Sequence, residues 1–142
     1  MPTSGSPPDL LVDTSAAVAF VVSDHEHHSP TFDALAGRRL GLAGHAAFET
    51  FSVLTRLPPP IRRTPAAIGR LMAENFPASR FLGPDAAALL LARLPALGVS
   101  GGSVYDALVG TVAIEHGVPL ATRDRRAMAT YRALNVEVEA LA

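Results

Sequence analysis

The stretch Leu10-Leu11-Val12-Asp13-Thr14-Ser15-Ala16 decides the fold, because an apolar run ends on a carboxylate and passes directly into a helical pattern. This pattern predicts a buried strand over 9–13, with Asp13 at its C-terminal edge, followed by a helix over 14–22. In open α/β sheets, ligands bind at this edge. We therefore expect the chemistry of the protein to be gathered there.

Strand-like and helix-like segments alternate along the rest of the chain. Further strands are predicted at 40–43, 80–82, 118–121 and 136–138. Helices are predicted at 31–36, 46–57, 65–75, 84–97 and 103–116, with a last one ending near 134. This alternation predicts a single domain over 1–142, an α/β protein built as a three-layer α/β/α sandwich on a parallel sheet. Residues 1–8 are predicted to be a loose tail.

Composition excludes several classes of chemistry. The 142 residues include no cysteine, so disulfides, thiolate metal sites and a cysteine nucleophile are excluded. All 12 basic residues are arginine, which excludes a Schiff-base lysine and a P-loop. The start has no basic residue and no apolar core of a signal peptide, and no apolar run is long enough to span a membrane. We expect a cytoplasmic protein that does not enter a membrane.

Four acidic residues occupy positions that a parallel sheet can bring to one rim. Asp13 ends the first strand, Glu49 lies in the helix after the second, Asp106 lies in the first turn of the 103–116 helix, and Asp124 follows the 118–121 strand. Four carboxylates in close proximity repel one another, and their pKa values rise unless a cation compensates. Mg²⁺ or Mn²⁺ suits such an oxygen-rich site, activating water and holding phosphate oxygens.

Each of these carboxylates also has a purely structural interpretation. Asp13 and Asp124 could cap the helices that follow them. Glu49 could lie on a solvent-exposed stripe of its helix. Ser103-Val104-Tyr105-Asp106 approximates a capping box. Taken singly these interpretations stay open, and they weaken when the four acids are considered together.

A histidine-rich loop and an arginine cluster remain. The loop is more typical of a solvated surface than of a metal site: His25, His27 and His28. The arginine cluster flanks Asp124 and predicts either contacts with phosphate groups beside the acidic site or a solvated helix face, with neither favoured: Arg123, Arg125 and Arg126.

Four motifs together resemble a PIN-domain ribonuclease of the VapC type, the toxin of a bacterial toxin–antitoxin pair. They are VDTSA at 12–16, HAAFETFSVL at 45–54, SVYDALV at 103–109 and LATRD at 120–124. Each motif is weak alone, but all four stand in the order and near the spacing of that family. They cover nearly the whole chain, from residue 10 to about 138.

The resemblance implies a PIN-like sheet of five parallel strands in the order 3-2-1-4-5. It implies a catalytic site of four acids around one or two Mg²⁺ or Mn²⁺ ions. Asp13 and Asp106 would ligate the metal directly, and Glu49 and Asp124 would complete the metal site, partly through water. The resemblance also implies that two hydroxyls support the acids by hydrogen bonds: Ser15 and Thr122.

The resemblance further implies an activity and partners. The expected activity is hydrolysis of phosphodiester bonds in single-stranded regions of RNA, by water that the metal activates. The expected partners are a second copy of the chain in a homodimer and a cognate VapB-like antitoxin, with a larger assembly when the antitoxin is bound. Phe48 and Phe51 could expose an apolar groove for an antitoxin helix, or they could be core residues.

Two other classes of function compete with this interpretation: another metal-dependent phosphoryl enzyme on an open α/β sheet, and a non-catalytic partner-binding domain. A metal-dependent phosphatase of the haloacid dehalogenase type would need an aspartate at position 15, where this chain has Ser15, and a supporting lysine. A receiver domain fails for the same lack of lysine. The remaining alternative is a non-catalytic α/β partner-binding domain that keeps an acidic metal-binding rim.

Overall fold

A computed structural model describes residues 6–142 of the chain. Its strands are short and parallel: β1 Leu10–Val12, β2 Leu40–Leu42, β3 Leu120–Thr122 and β4 Val138–Ala140. Its helices are α1 Thr14–Val21, α2 His28–Leu35, α3 His45–Thr55, α4 Pro65–Asn75, α5 Pro84–Leu97, α6 Ser103–His116 and α7 Met128–Ala133. No helix within 6–142 is long and apolar enough to cross a membrane.

The strand order places the C-terminal end of β1 at the centre of one sheet edge. The order is β2-β1-β3-β4, so the chain adds β2 on one side of β1 and later adds β3 on the other. Such a reversal opens a crevice outside the carboxyl ends of the two central strands. Asp13 directly follows β1, and its backbone N–H donates to the Ala121 carbonyl of β3 at 3.1 Å.

Alternation along β1 produces the predicted three layers. Leu10 and Val12 pack on one face with residues of α1 and α2, whereas Leu11 packs on the other face with residues of α6 and α7. β1 is therefore covered on both faces, which is why its three residues are all apolar and buried.

Within residues 6–142 the sheet has four strands, so the expectation of a five-strand sheet is wrong. The segment predicted as the strand at 80–82 contributes a single parallel bridge, between Arg80 and Ala43. The N–H of Leu42 bonds to the Ser79 hydroxyl at 2.9 Å, so a side chain replaces the backbone acceptor of a ladder. The backbone N–H groups of Ala78 and Arg80 still donate to the carbonyls of Leu40 and Leu42, at 3.1 Å each, so the segment follows β2 without forming a full strand. The segment lies beside β2, where the five-strand order would place it.

Several boundaries differ from the sequence prediction by one to three residues. The helix predicted from 31 begins at His28, because Pro30 falls in its first turn, where a backbone N–H has no helical partner. The last strand begins at Val138 rather than at 136, because Val136 N–H still bonds to the Tyr131 carbonyl at the end of α7. Of the predicted tail, residues 1–5 lie outside the described residues, and the Ser6 carbonyl accepts from Arg39 Nε at 2.9 Å.

Candidate active site

Asp13 is held by hydrogen bonds to both of its carboxylate oxygens. Oδ1 accepts from Ser15 Oγ at 2.6 Å and from the backbone N–H of Ala16 at 3.1 Å, and Oδ2 accepts from the Tyr131 hydroxyl at 3.0 Å. The residue is 5% exposed. Asp13 is thus the N-cap of α1, as its structural interpretation required, and it also lines the cleft at the sheet edge.

A hydroxyl pair links the loops that follow β1 and β3. Ser15 Oγ accepts from the backbone N–H of Arg123 at 2.8 Å and lies 3.4 Å from Thr122 Oγ1. Thr122 Oγ1 accepts from the backbone N–H of Asp124 at 3.0 Å. The two residues expected to support the acids therefore fix the turn that presents Asp124 beside Asp13.

The other three carboxylates come from α3, α6 and the turn after β3. Glu49 is exposed, and its Oε1 accepts from Thr14 Oγ1 at 2.8 Å. Asp124 Oδ1 accepts from the Arg126 backbone N–H at 2.9 Å. Asp106 closes no capping box, because Gly102 is the N-cap of α6 and Ser103 Oγ instead donates to the Ser100 carbonyl at 2.6 Å.

All four predicted acids line one cleft of about 240 Å³. The sequence prediction that Asp13, Glu49, Asp106 and Asp124 share one rim is confirmed as a statement of position. Five further side chains complete the lining: Thr14, Ser15, Tyr105, Val109 and Tyr131. The four carboxylates make the cleft acidic, and every polar side-chain atom that lines it is an oxygen.

Burial raises the pKa of two carboxyls of the cleft, those of Asp106 and Asp13. Burial, followed by the charges of Asp124, Asp13 and Glu49, raises the pKa of Asp106 to about 6, and Arg126 acts in the opposite direction. Burial also raises the pKa of Asp13, and its hydrogen bonds, Ser15 first, oppose that rise. The cleft therefore disfavours its own full ionisation, which is the condition that a bound cation relieves.

The donor set fits a hard divalent cation in its chemistry. Carboxylate oxygens are the ligands that Mg²⁺ and Mn²⁺ prefer. No three acidic or histidine side chains of the described residues stand close enough together to hold a metal ion as they lie.

Four residues of the cleft were not identified from sequence as site residues: Thr14, Tyr105, Val109 and Tyr131. Tyr131 lies on the buried side of α7, and its hydroxyl is a polar atom in an apolar neighbourhood, so it required a partner. The need of a buried tyrosine hydroxyl for a hydrogen-bond partner was the signal that the sequence offered, but the sequence did not identify Asp13 as that partner. Thr14 and Tyr105 gave no signal beyond their adjacency to Asp13 and Asp106.

The arginine cluster lies next to the cleft rather than in it. The guanidinium of Arg123 donates to Thr31 Oγ1 at 3.3 Å and to the Ala142 carbonyl. Arg125 and Arg126 are exposed. A second groove, of about 520 Å³, shares Asp124 with the acidic cleft, and its lining includes three arginines: Arg123, Arg125 and Arg132.

The histidine-rich loop lies outside the acidic cleft, although His27 lines a neighbouring groove together with Asp124. His28 Nδ1 is 2.8 Å from the Ala19 carbonyl, and His27 Nε2 is 3.2 Å from Glu26 Oε1. Neither residue lines the acidic cleft. His27 is exposed, as the solvated-surface interpretation expects, whereas His28 is half-buried in the first turn of α2.

Comparison with known proteins identifies the family. The sequence matches the PIN domain over residues 10–133, which includes all four acids. The chain belongs to the PIN-domain family. It is of the VapC type, since it is 44% identical over 131 residues to ribonuclease VapC27 and 46% identical over 132 residues to ribonuclease VapC40, both of Mycobacterium tuberculosis. These matches cover 92% of this PIN domain and 96% and 97% of the respective relatives.

Solved structures share the fold of this PIN domain. VapBC2 from Rickettsia felis, solved bound to a DNA fragment from its promoter, superposes with a TM-score of 0.66 at 13% identity, covering 94% of this chain and 98% of the other. PAE2754 from Pyrobaculum aerophilum superposes with a TM-score of 0.53 at 23% identity, covering 90% of each chain. At these identities the likeness concerns the fold alone.

Proposed function

We propose that this PIN domain is the toxin of a toxin–antitoxin pair, an endoribonuclease that hydrolyses phosphodiester bonds in single-stranded RNA with Mg²⁺ or Mn²⁺ as cofactor. The central observation is that Asp13, Glu49, Asp106 and Asp124 line one cleft outside the carboxyl ends of β1 and β3. The names of the VapC relatives, which are ribonucleases, support RNA as the substrate.

The residues of the cleft divide into ligands and supports. Asp13 and Asp106 would hold the metal directly, and Glu49 and Asp124 would complete its site, partly through water. When bound, the ion would activate water and neutralise the phosphate oxygens. Ser15 and Tyr131 hold the Asp13 carboxylate in one orientation, and Thr122 orients the turn that presents Asp124.

An antitoxin and a second copy of the chain are the proposed protein partners. The Rickettsia felis neighbour was solved as a VapBC complex, which supports an antitoxin of the VapB kind here. Phe48 and Phe51 of α3 are 68% and 37% exposed, so they are available to a partner. We propose that they contact the antitoxin helix.

Cleavage of total cellular RNA tests the activity. Wild-type protein, freed of antitoxin, would be incubated with Mg²⁺, Mn²⁺ or EDTA, and the new 5′ ends would be mapped. Asp106→Asn is the sharpest variant, since this side chain makes no hydrogen bond within residues 6–142 and its replacement leaves the packing unchanged. Asp33→Asn, an exposed acid on α2, is the matched control for loss of one negative charge.

We expect discrete cuts that need both the metal and Asp106, and that persist in Asp33→Asn. Folded wild-type protein that makes no cut with either metal would overturn the proposal and favour the non-catalytic partner-binding domain. Cuts that persist in EDTA would retain a ribonuclease but remove the metal from its mechanism.

A further inference from the structure

Two aromatic rings stack at the mouth of the acidic cleft. The ring of Tyr105, on α6, lies against the imidazole of His45, on α3, with their centroids 4.7 Å apart and their planes 23° from parallel. Tyr105 lines the cleft, yet it is 53% exposed. Since His45 covers one face of the ring, the exposed area belongs to its other face and its edge.

The position of this ring relates it to the acids. Tyr105 directly precedes Asp106, and His45 stands one helical turn before Glu49 on α3. The stack therefore bridges the two helices that bring these acids to the cleft. A chain bound with its phosphate at the four acids would have its adjoining base within reach of this ring.

If the Tyr105 ring served only to join α3 to α6, its second face would not need to be exposed to solvent. The other tyrosine of the chain, Tyr131, shows what a structural role looks like here, being 1% exposed with its hydroxyl bonded to Asp13. The Tyr105 hydroxyl, by contrast, makes no hydrogen bond to any residue of 6–142, and about half of the residue's surface faces solvent. Single-stranded RNA is commonly bound by stacking its unpaired bases on rings of this kind.

We propose that Tyr105, backed by His45, is the stacking platform for one unpaired nucleobase next to the phosphate that is cut. This inference rests on the proposed function and adds a base-binding subsite to it. Stacking tolerates any base, because every base has an aromatic face. The platform thus selects unpaired RNA over duplex, in which the base is already stacked and paired.

Binding of short single-stranded RNA tests the platform without turnover. A series of oligonucleotides would carry 2-aminopurine, a fluorescent adenine analogue quenched by stacking, at one position after another. Each would be titrated in Mg²⁺ with the non-cleaving Asp106→Asn protein and with the same protein bearing Tyr105→Ala or Tyr105→Phe. Phe32→Ala, which removes an exposed ring on α2, is the matched control.

We expect one position whose emission falls on binding, and whose response is lost in Tyr105→Ala but kept in Tyr105→Phe and Phe32→Ala. Tyr105→Ala should weaken binding roughly 5- to 150-fold, the equivalent of one lost base stack. When that one nucleotide is replaced by an abasic unit, the protein that keeps Tyr105 and the Tyr105→Ala protein should bind the RNA with equal affinity.

If the RNA binds but the quenching of 2-aminopurine depends on Tyr105 at no position, the stacking platform is overturned and the proposed function still stands. Equal losses in Tyr105→Phe and Tyr105→Ala would also overturn it, because the hydroxyl rather than the ring face would then be the binding group. Failure of the wild-type protein both to bind and to cut RNA would remove the proposed function together with the platform.

Discussion

The Tyr131 hydroxyl donates a 3.0 Å hydrogen bond to Oδ2 of Asp13, joining α7 to the end of β1 across 118 residues of sequence. Both side chains are buried. Burial and the Asp13 charge raise the pKa of the Tyr131 phenol, which therefore stays protonated and continues to donate. With Ser15 and Ala16 bonded to Oδ1, the Asp13 carboxylate has a fixed orientation before any ligand arrives.

Tyr131→Phe tests this relationship as a stability effect. The ring is kept and one hydrogen bond to a charged group is lost, so we expect the free energy of unfolding to fall by about 1.5–3 kcal/mol. Urea denaturation followed by circular dichroism measures the change. Tyr105→Phe, at the exposed tyrosine, is the control and should stay within about 0.5 kcal/mol of wild type. If Tyr131→Phe and Tyr105→Phe lowered the free energy of unfolding equally, the hydrogen bond to Asp13 would have no special role in stability.

Asp106→Asn should stabilise the metal-free protein at neutral pH. The pKa of Asp106 is raised from 3.8 to about 6 in the folded state, so the folded state binds more protons than the unfolded state between these values. Stability therefore falls as pH rises through this window, and the loss is complete above about pH 6. A neutral asparagine amide at this position cannot ionise, so the substitution Asp106→Asn removes the loss of stability that ionisation of Asp106 causes.

Melting temperatures measured from pH 4 to pH 8 in EDTA check this expectation. The melting temperature of the Asp106→Asn protein should fall less steeply with rising pH than that of wild type, while the melting temperature of Asp33→Asn should follow wild type. A melting temperature of Asp106→Asn below that of wild type at pH 7.5 would show that the acidic cluster is not repulsive.

Gly41→Ala should destabilise the edge of the sheet. A Cβ built at Gly41 would lie 2.1 Å from the backbone carbonyl oxygen of Ala78, in the segment that bridges to β2. Relieving that overlap requires the segment 78–80 to shift, and we expect a cost of about 1–3 kcal/mol in unfolding free energy. Gly69→Ala is the contrasting variant, because its Cβ meets nothing within 4 Å on α4 and should stabilise by about 0.5–1 kcal/mol. Urea titration of both proteins should give opposite signs.

Phe48→Ala combined with Phe51→Ala should leave the fold intact and weaken the antitoxin complex. Both side chains are exposed, so their removal costs little packing, whereas a partner helix would lose two apolar contacts. Leu54→Ala, at a fully buried position of the same helix, should cost about 2–5 kcal/mol. Thermal melting and calorimetric titration with the antitoxin separate the two effects. Unchanged affinity of the folded double variant would refute the proposed contact.

The local pattern was sufficient to predict much of the sheet and of the rim. β1 and β3 were predicted from apolar runs, because strands covered on both faces are largely apolar throughout. The third predicted strand failed, because pairing depends on which donors and acceptors a neighbour presents, and there the Ser79 hydroxyl replaced a backbone acceptor. The start of α2 was missed because Pro30 breaks a helix only beyond its first turn.

The sequence by itself determined the chemistry that is available: three acids at the ends of predicted elements and Glu49 within a helix, no cysteine, no lysine, and hydroxyls beside Asp13. Periodicity and chain order act over a few residues, so they place each acid on its own element. Only the tertiary structure decided that Tyr131 holds Asp13, that Asp106 stays free of a capping box, and that Tyr105 stacks on His45. The two contacts join residues far apart in sequence, and they exist only because packing the helices on a four-stranded sheet brings their side chains within bonding distance.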